Sequence, residues 1–160
     1  MPQKSFDLHH YLIYMLDEAA LQKAWHGTNF LGSIRNVSAA EALKRPGKDR
    51  HNIWELTVHS AYWKYRIAQR IKRDKQLSFP FRGTDWFRSP VQLSNAEWSD
   101  IRKLAKNMHD KLKVTIQNIK ESRLKVKNGK HNVWELIVAI ALHDVYHTGQ
   151  IQLVKKLIRK

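Results

Sequence analysis

Two histidines four residues apart, His143 and His147, stand in the run L-I-V-A-I-A-L-H-D-V-Y-H-T-G-Q from Leu136 to Gln150. On an α-helix, side chains at i and i+4 share a face about 6 Å apart, so both rings can aim a nitrogen at one point. That is the spacing of a pair of metal ligands. The stripe that carries them (Leu136, Ala139/Ile140, His143, His147, Gln150/Ile151, Val154) is the face a bundle helix turns towards its core. Polar rings buried there need partners. The bare spacing carries little weight, because nine histidines in 160 residues give roughly half such a pair by chance. A third ring adds more. His59 falls on the stripe Leu56, His59, Trp63, Ile67 and Ile71 of another helix. One core histidine is ordinarily satisfied by a backbone carbonyl, whereas three converging rings each bring an acceptor nitrogen that a cation can use.

Composition narrows the chemistry. The chain has no cysteine, which removes disulfides, thiolate ligands and a cysteine nucleophile, so a metal has to be held by His, Asp or Glu. At 160 residues and 42% hydrophobic, residues 1–160 read as a single domain that buries roughly 70% of its unfolded surface. No apolar run approaches the ~20 residues of a membrane span, and M-P-Q-K-S-F-D-L-H-H lacks a signal peptide's apolar core, so a cytoplasmic protein is expected. The net charge of +15 brings nucleic acid or another polyanion into consideration. Its distribution argues the other way. Cations gather at helix ends and connections (Lys72, Arg73, Lys75; 120–130; Lys155, Lys156, Arg159, Lys160), where they suit helix C-termini and a wet surface.

The elements that must position the histidines follow from caps and periodicity. Asp7 is placed to cap a first helix from about Leu8 to Trp25, with Leu8, Tyr11, Leu12, Met15, Leu16, Ala19 and Ala20 as its apolar stripe and Gly27 ending it. S-A-A-E at 38–41 is a capping box for a short helical turn before Pro46 and Gly47. H-N-I-W-E-L-T-V-H from His51 recurs 80 positions later as H-N-V-W-E-L-I-V-A from His131; in each copy Asn caps and Glu follows at the third helical position. The first copy opens a helix over 53–72 and the second one over 133–158. Ser94 and Glu97 open a further helix to about Ser122, with Trp98, Ile101, Leu104, Met108, Leu112, Thr115/Ile116 and Ile119 on its stripe and His109 off it. No run alternates as a strand with hairpin signals. The expected fold is an all-α four-helix bundle with a long aromatic loop, 74–93, between helices two and three. That loop carries Phe79, Phe81, Trp86 and Phe87, and packing onto the bundle's end is favoured over a lid.

W-E-L-T-V-H at 54–59 on the second helix, followed by W-E-L at 134–136 and H-D-V-Y-H-T-G-Q at 143–150 on the fourth, resembles the DinB/YfiT-like superfamily of four-helix-bundle metalloproteins. The resemblance covers most of the chain in helix order and length. It implies that His59, His143 and His147 are the three metal ligands and that the protein forms a homodimer. It also points to thiol S-transferase chemistry, in which a low-molecular-weight thiol such as bacillithiol, mycothiol or glutathione attacks an electrophilic substrate. Other members carry only the designation of metal-dependent hydrolases. One departure is Thr148, where members often have Arg.

Three imidazoles leave a divalent cation with open positions, as in catalytic sites, and zinc, nickel or iron accept such ligation, zinc suiting it best. A thiol held there can attack an electrophile; a hydroxide held there can hydrolyse one. The reading ranks a transferase first, then a hydrolase or a non-catalytic metal-binding protein, then a polyanion binder. Around the ligands, Gln150 falls near the metal face, Glu55 stands four before His59 but is already explained by capping, and Tyr62 and Tyr146 can line a pocket. Asp144 is about 100° round the helix from His143 and reads as a surface carboxylate or a supporting partner. Arg82 and Arg88 on the aromatic loop can receive an acidic co-substrate. One geometric condition is strict. If helices two and four ran parallel and in register, His59 would lie about 9 Å below the midpoint of the other two. Stagger, tilt or another connectivity is required, and rings more than about 8 Å apart would defeat the metal reading.

Overall fold

The computed structural model describes residues 7–21, 24–73 and 78–160; Lys75 and residues 1–6 of the N-terminal stretch, singled out above, lie outside these. Helix starts are set by side chains that take up free N–H groups of the first turn. Asp7 accepts from His10 N at the head of α1 (Leu8–Ala20), Asn29 from Gly32 N at α2 (Phe30–Arg35), and Ser38 and Glu41 close a capping box at α3 (Ala39–Leu43). Asn52 accepts from Glu55 N at α4 (Ile53–Lys72), and Ser94 and Glu97 form a second capping box at α5 (Asn95–Gln117). After α6 (Glu121–Leu124) comes a short antiparallel pair, β1 (Lys127–Asn128) and β2 (His131–Asn132), turned at Gly129 with φ 72°. Glu135 then accepts from Asn132 N to open α7 (Val133–Ile158). The protein is all-α, and α1, α4, α5 and α7 form the bundle.

Side-chain contacts fix the helix directions. His9 bonds the Ile119 carbonyl while Asp17 bonds His109 and Lys113, so α1 runs antiparallel to α5. One buried cluster joins Ile53 and Trp54 of α4 to Trp98 and Ile101 of α5 and to Ile151 and Ile158 of α7. The other joins Ile67 and Ile71 to Leu112 and Ile116 and to Leu136 and Ile140. Hence α4 and α5 are parallel and α7 opposes both, an up-down-down-up order rather than simple alternation.

This order explains the aromatic loop. A parallel successor to α4 obliges the chain to return the length of a 20-residue helix, about 30 Å, before α5 can begin. Phe79 lies against Tyr65 and Tyr62, Phe87 against Tyr62, Phe81 against Trp54, and Ser89 reaches Asn52 and Glu55. The expectation that the loop docks on the bundle's end is therefore corrected: its described part runs along α4. With bundle and loop around it, α4 is buried on every side from Asn52 to Tyr62.

Other boundaries shift for local reasons. The first helix stops at Ala20 rather than near Trp25, because Trp25 N turns back to the Glu18 carboxylate and Ala24 pairs with Gly27, leaving Trp25 95% exposed. Tyr11, placed on its core stripe, is exposed instead. The third long helix ends at Gln117 rather than Ser122, where Asn118 bonds the Val114 carbonyl with both its backbone N and its side-chain amide. His109, off the stripe, is fully buried, because α1 brings Asp17 to its Nε2 at 3.0 Å.

Candidate metal centre

His59 comes from the N-terminal half of α4, and His143 and His147 from successive turns of α7. Antiparallel pairing of these helices meets the geometric condition by connectivity: the ring centroids lie 5.0 Å (59–143), 4.8 Å (59–147) and 4.2 Å (143–147) apart. His143 Nε2 stands 3.0 Å from His59 Nε2 and 3.0 Å from His147 Nε2. One ligand atom from each residue falls within 4.8 Å of the others, with His59 and His147 buried and His143 half-buried.

What fixes each ring decides what its inner nitrogen can do. His59 Nδ1 lies 2.9 Å from the Asp85 carbonyl, which only accepts, so Nδ1 carries the proton and Nε2 keeps a lone pair. His147 Nδ1 donates in the same way to Gln150 Oε1 at 2.6 Å, and Gln150 is oriented by donating from Nε2 to the Tyr146 hydroxyl. His143 Nδ1 is buried and has no hydrogen-bond partner among the described residues. A neutral His143 could donate from Nε2 to one neighbour only, leaving the other lone pair unanswered. A cation answers all three. Nitrogens 3.0 Å apart also come within a few tenths of the ~3.3–3.4 Å that separates two nitrogens each about 2.1 Å from one tetrahedral ion. The donor set therefore fits a metal.

Burial keeps the rings neutral and ready for that use. Desolvation is the leading cause of every shift: it lowers His59, takes His143 down to about 3 with help from its two neighbours and Lys64, and takes His147 to about 4 despite the bond to Gln150. Trp86 covers the cluster, stacked on His59 at 3.8 Å and 7° and edge-on to His147. His51 stacks on its opposite face at 3.6 Å and 3°. Asp85, with φ 65°, is the turn that delivers both carbonyl and indole, and its carboxylate accepts from Trp63 Nε1 at 2.8 Å.

The other candidates are distributed as follows. Gln150 touches a triad ring, and Tyr146, 63% exposed, lies edge-on to His147. Tyr62 packs in the aromatic core with Phe79 and Phe87 instead of lining the centre. Glu55 neither supports His59 nor completes a capping box; its carboxylate takes Arg45, His51 and Ser89 N, whose bonds outweigh desolvation and hold its pKa low. Asp144 is neither surface group nor ligand. It is wholly buried, bonded to Lys64 Nζ at 2.5 Å, with Lys64 over the Phe30 ring at 4.5 Å; burial raises its pKa against the pull of Lys64. Thr148 is satisfied by its own helix, donating to the Asp144 carbonyl. Arg82 and Arg88 are exposed, and Arg88 borders a depression beside His51 and Trp86. Four residues at or beside the centre escaped sequence reasoning: Asp85, Trp86, His51 and Lys64. For the first two the signal was a loop too long and too aromatic to be a mere connection; His51 opens the repeated motif, and Lys64 stands among the aromatics Tyr62, Trp63 and Tyr65.

A family model for the DinB superfamily matches residues 20–151, most of the chain and all three histidines. The protein belongs to the DinB superfamily. Membership and the histidine cluster together fit metal binding. Searches of curated proteins and of solved structures found no match.

Proposed function

We propose that His59, His143 and His147 hold a divalent first-row metal ion, zinc suiting the all-nitrogen set best with nickel or iron as substitutes, and that the protein is a thiol S-transferase. The observation that carries the metal assignment is the convergence of three Nε2 atoms, two of which have their tautomer fixed from behind. When bound, the ion supplies Lewis acidity towards a thiol or water. The chain's residues do the rest. Asp85 and Gln150 hold the two Nδ1 protons and so keep two Nε2 lone pairs turned inward. Trp86 shields His59 and His147 from solvent. Burial keeps His143 and His147 neutral well below pH 7, and in His147 the lone pair left is the inward one on Nε2, because Nδ1 donates to Gln150. Family membership and the absence of any cysteine support the transferase reading, in which the thiol arrives as a co-substrate rather than as a side chain. We assign Arg82 and Arg88, both exposed, to the carboxylates of an acidic thiol of the glutathione type; the exposure of Arg88 beside Trp86 supports this.

The test is to load the protein with zinc, nickel or iron and assay thiols against alkylating and epoxide electrophiles, following thiol loss and product mass. Turnover that requires both metal and thiol is expected. Metal-dependent ester or amide hydrolysis without thiol would replace the transferase with a hydrolase, and tight metal binding without either activity would leave a binding protein. The homodimer belongs to the same proposal. Its face is the outward side of α7, where Ala139, Leu142, Tyr146 and Gly149 are exposed and no exposed charge occurs between Glu135 and Lys155.

A further inference from the structure

A cleft of about 560 Å³ lies between the 46–51 loop and the C-terminal half of α7. Its floor is Leu56 and Val154, both buried, and its α7 wall is Leu153 and Leu157, which are 58% and 44% exposed. Apolar side chains of that size, left open along a concave surface, are a wall for an apolar body. The opposite rim carries Lys48 and Arg50. Neither has a carboxylate within ion-pair distance among the described residues; Asp49 is the one acid on the rim. Arg45 and Arg88 line the adjoining depression on the other side of His51, where Arg45 is already committed to Glu55. The balance around the mouth is cationic, as the whole protein is. The inner end is Gln150, the residue that holds His147.

We propose that this cleft binds a carboxylate carried on an apolar body, an alkyl or aryl carboxylate, with the anion at Lys48 and Arg50 and the chain along Leu153 and Leu157. The cleft then seats the non-reacting part of the substrate and sets which molecules reach the histidines. That service to catalysis rests on the proposed metal centre; the binding itself does not.

The test is titration of the isotopically labelled protein with octanoate and, separately, 1-octanol, followed by nuclear magnetic resonance, before and after chelator treatment and in His143→Ala. Octanoate is expected to shift the Gln150 side-chain amide and the backbone amides of 47–51 saturably in all three samples, with octanol at least several-fold weaker. Lys48→Glu combined with Arg50→Glu, both at exposed positions with no ion pair among the described residues, should weaken octanoate about tenfold while leaving the rest of the spectrum in place. Leu157→Glu should do likewise from the apolar side. Equal binding of octanol and octanoate, shifts located elsewhere, or no saturation would overturn the proposal. Octanoate binding in a protein that takes up no metal would sink the metal centre alone, and metal uptake without octanoate binding would sink the cleft alone.

Discussion

Gln150 and Asp85 support the histidine cluster from behind, each fixing one ring by its outer nitrogen. Truncating the first, Gln150→Ala, should lower zinc affinity about 10–100-fold in competition with a chelator, the usual cost of losing such support, while circular dichroism stays unchanged. An unchanged affinity would mean that packing alone orients His147. His109 offers a check of burial that no metal complicates. Desolvation, reinforced by Lys64, holds its folded-state pKa at about 4 against an ordinary 6.5, despite the bond to Asp17. The unfolded chain therefore takes up the proton first. Stability from the neutral, buried ring is complete above about pH 6.5 and drains away as pH falls towards 4, by about 3 kcal/mol at most. His109→Gln should accordingly flatten the fall in urea stability of the metal-free protein between pH 6.5 and 4; a parallel curve would show that His109 is not the group responsible. At this scale the three histidines were legible from their places on the expected stripes, although α4 proves to be buried on every side around His59, so the stripe alone does not single that ring out. Asp85 and Trp86 were not, because a loop residue's partner is set by where the loop travels and no periodicity reports that.

Between elements, α4 and α7 are tied by Lys64 and Asp144, a pair with no solvent access one residue along from His143. Removing one partner strands a buried charge. Lys64→Met is expected to cost about 3–5 kcal/mol, and Lys64→Met with Asp144→Leu to regain most of it, as apolar replacements of both partners commonly do. Urea midpoints of wild type, Lys64→Met, Asp144→Leu and the double variant decide the matter: a single variant within about 0.5 kcal/mol of wild type would mean the pair is not holding the helices. The extents of α4 and α7 could be read directly from their Asn caps and apolar stripes. Their relative direction could not. Caps and stripes specify where a helix begins and which face it buries, but not whether its neighbour runs with it or against it. The length of the 74–93 stretch was the usable clue, because only a parallel successor demands so long a return. The first repeat also diverged from the second for a tertiary reason: Arg45 draws Glu55 away from the cap that Glu135 completes in α7.

For the molecule as a whole, a chain of net charge +15 that nevertheless presents an uncharged outer face along α7 has separated two tasks on its surface. The cations keep it wetted, and in the proposed homodimer the apolar face would meet a second copy. Light scattering behind a sizing column should give twice the 18.9 kDa chain mass, and Leu142→Glu with Tyr146→Glu should give the monomer. A monomeric wild type would remove the dimer. The superfamily was legible from W-E-L-T-V-H and H-D-V-Y-H-T-G-Q because those residues are the ones the antiparallel α4–α7 contact brings together. The basic composition said less, since lysines at helix ends look the same whether or not they meet a ligand.

The central claim is that three nitrogens hold one metal ion. Elemental analysis of untagged protein, wild type beside His143→Ala and both incubated with zinc and then desalted, tests it most directly. The account predicts about one equivalent of metal per chain in the wild type and almost none in the variant, with both folded by circular dichroism. Equal metal in the two proteins, or none in either after incubation with zinc, nickel and iron, would contradict it.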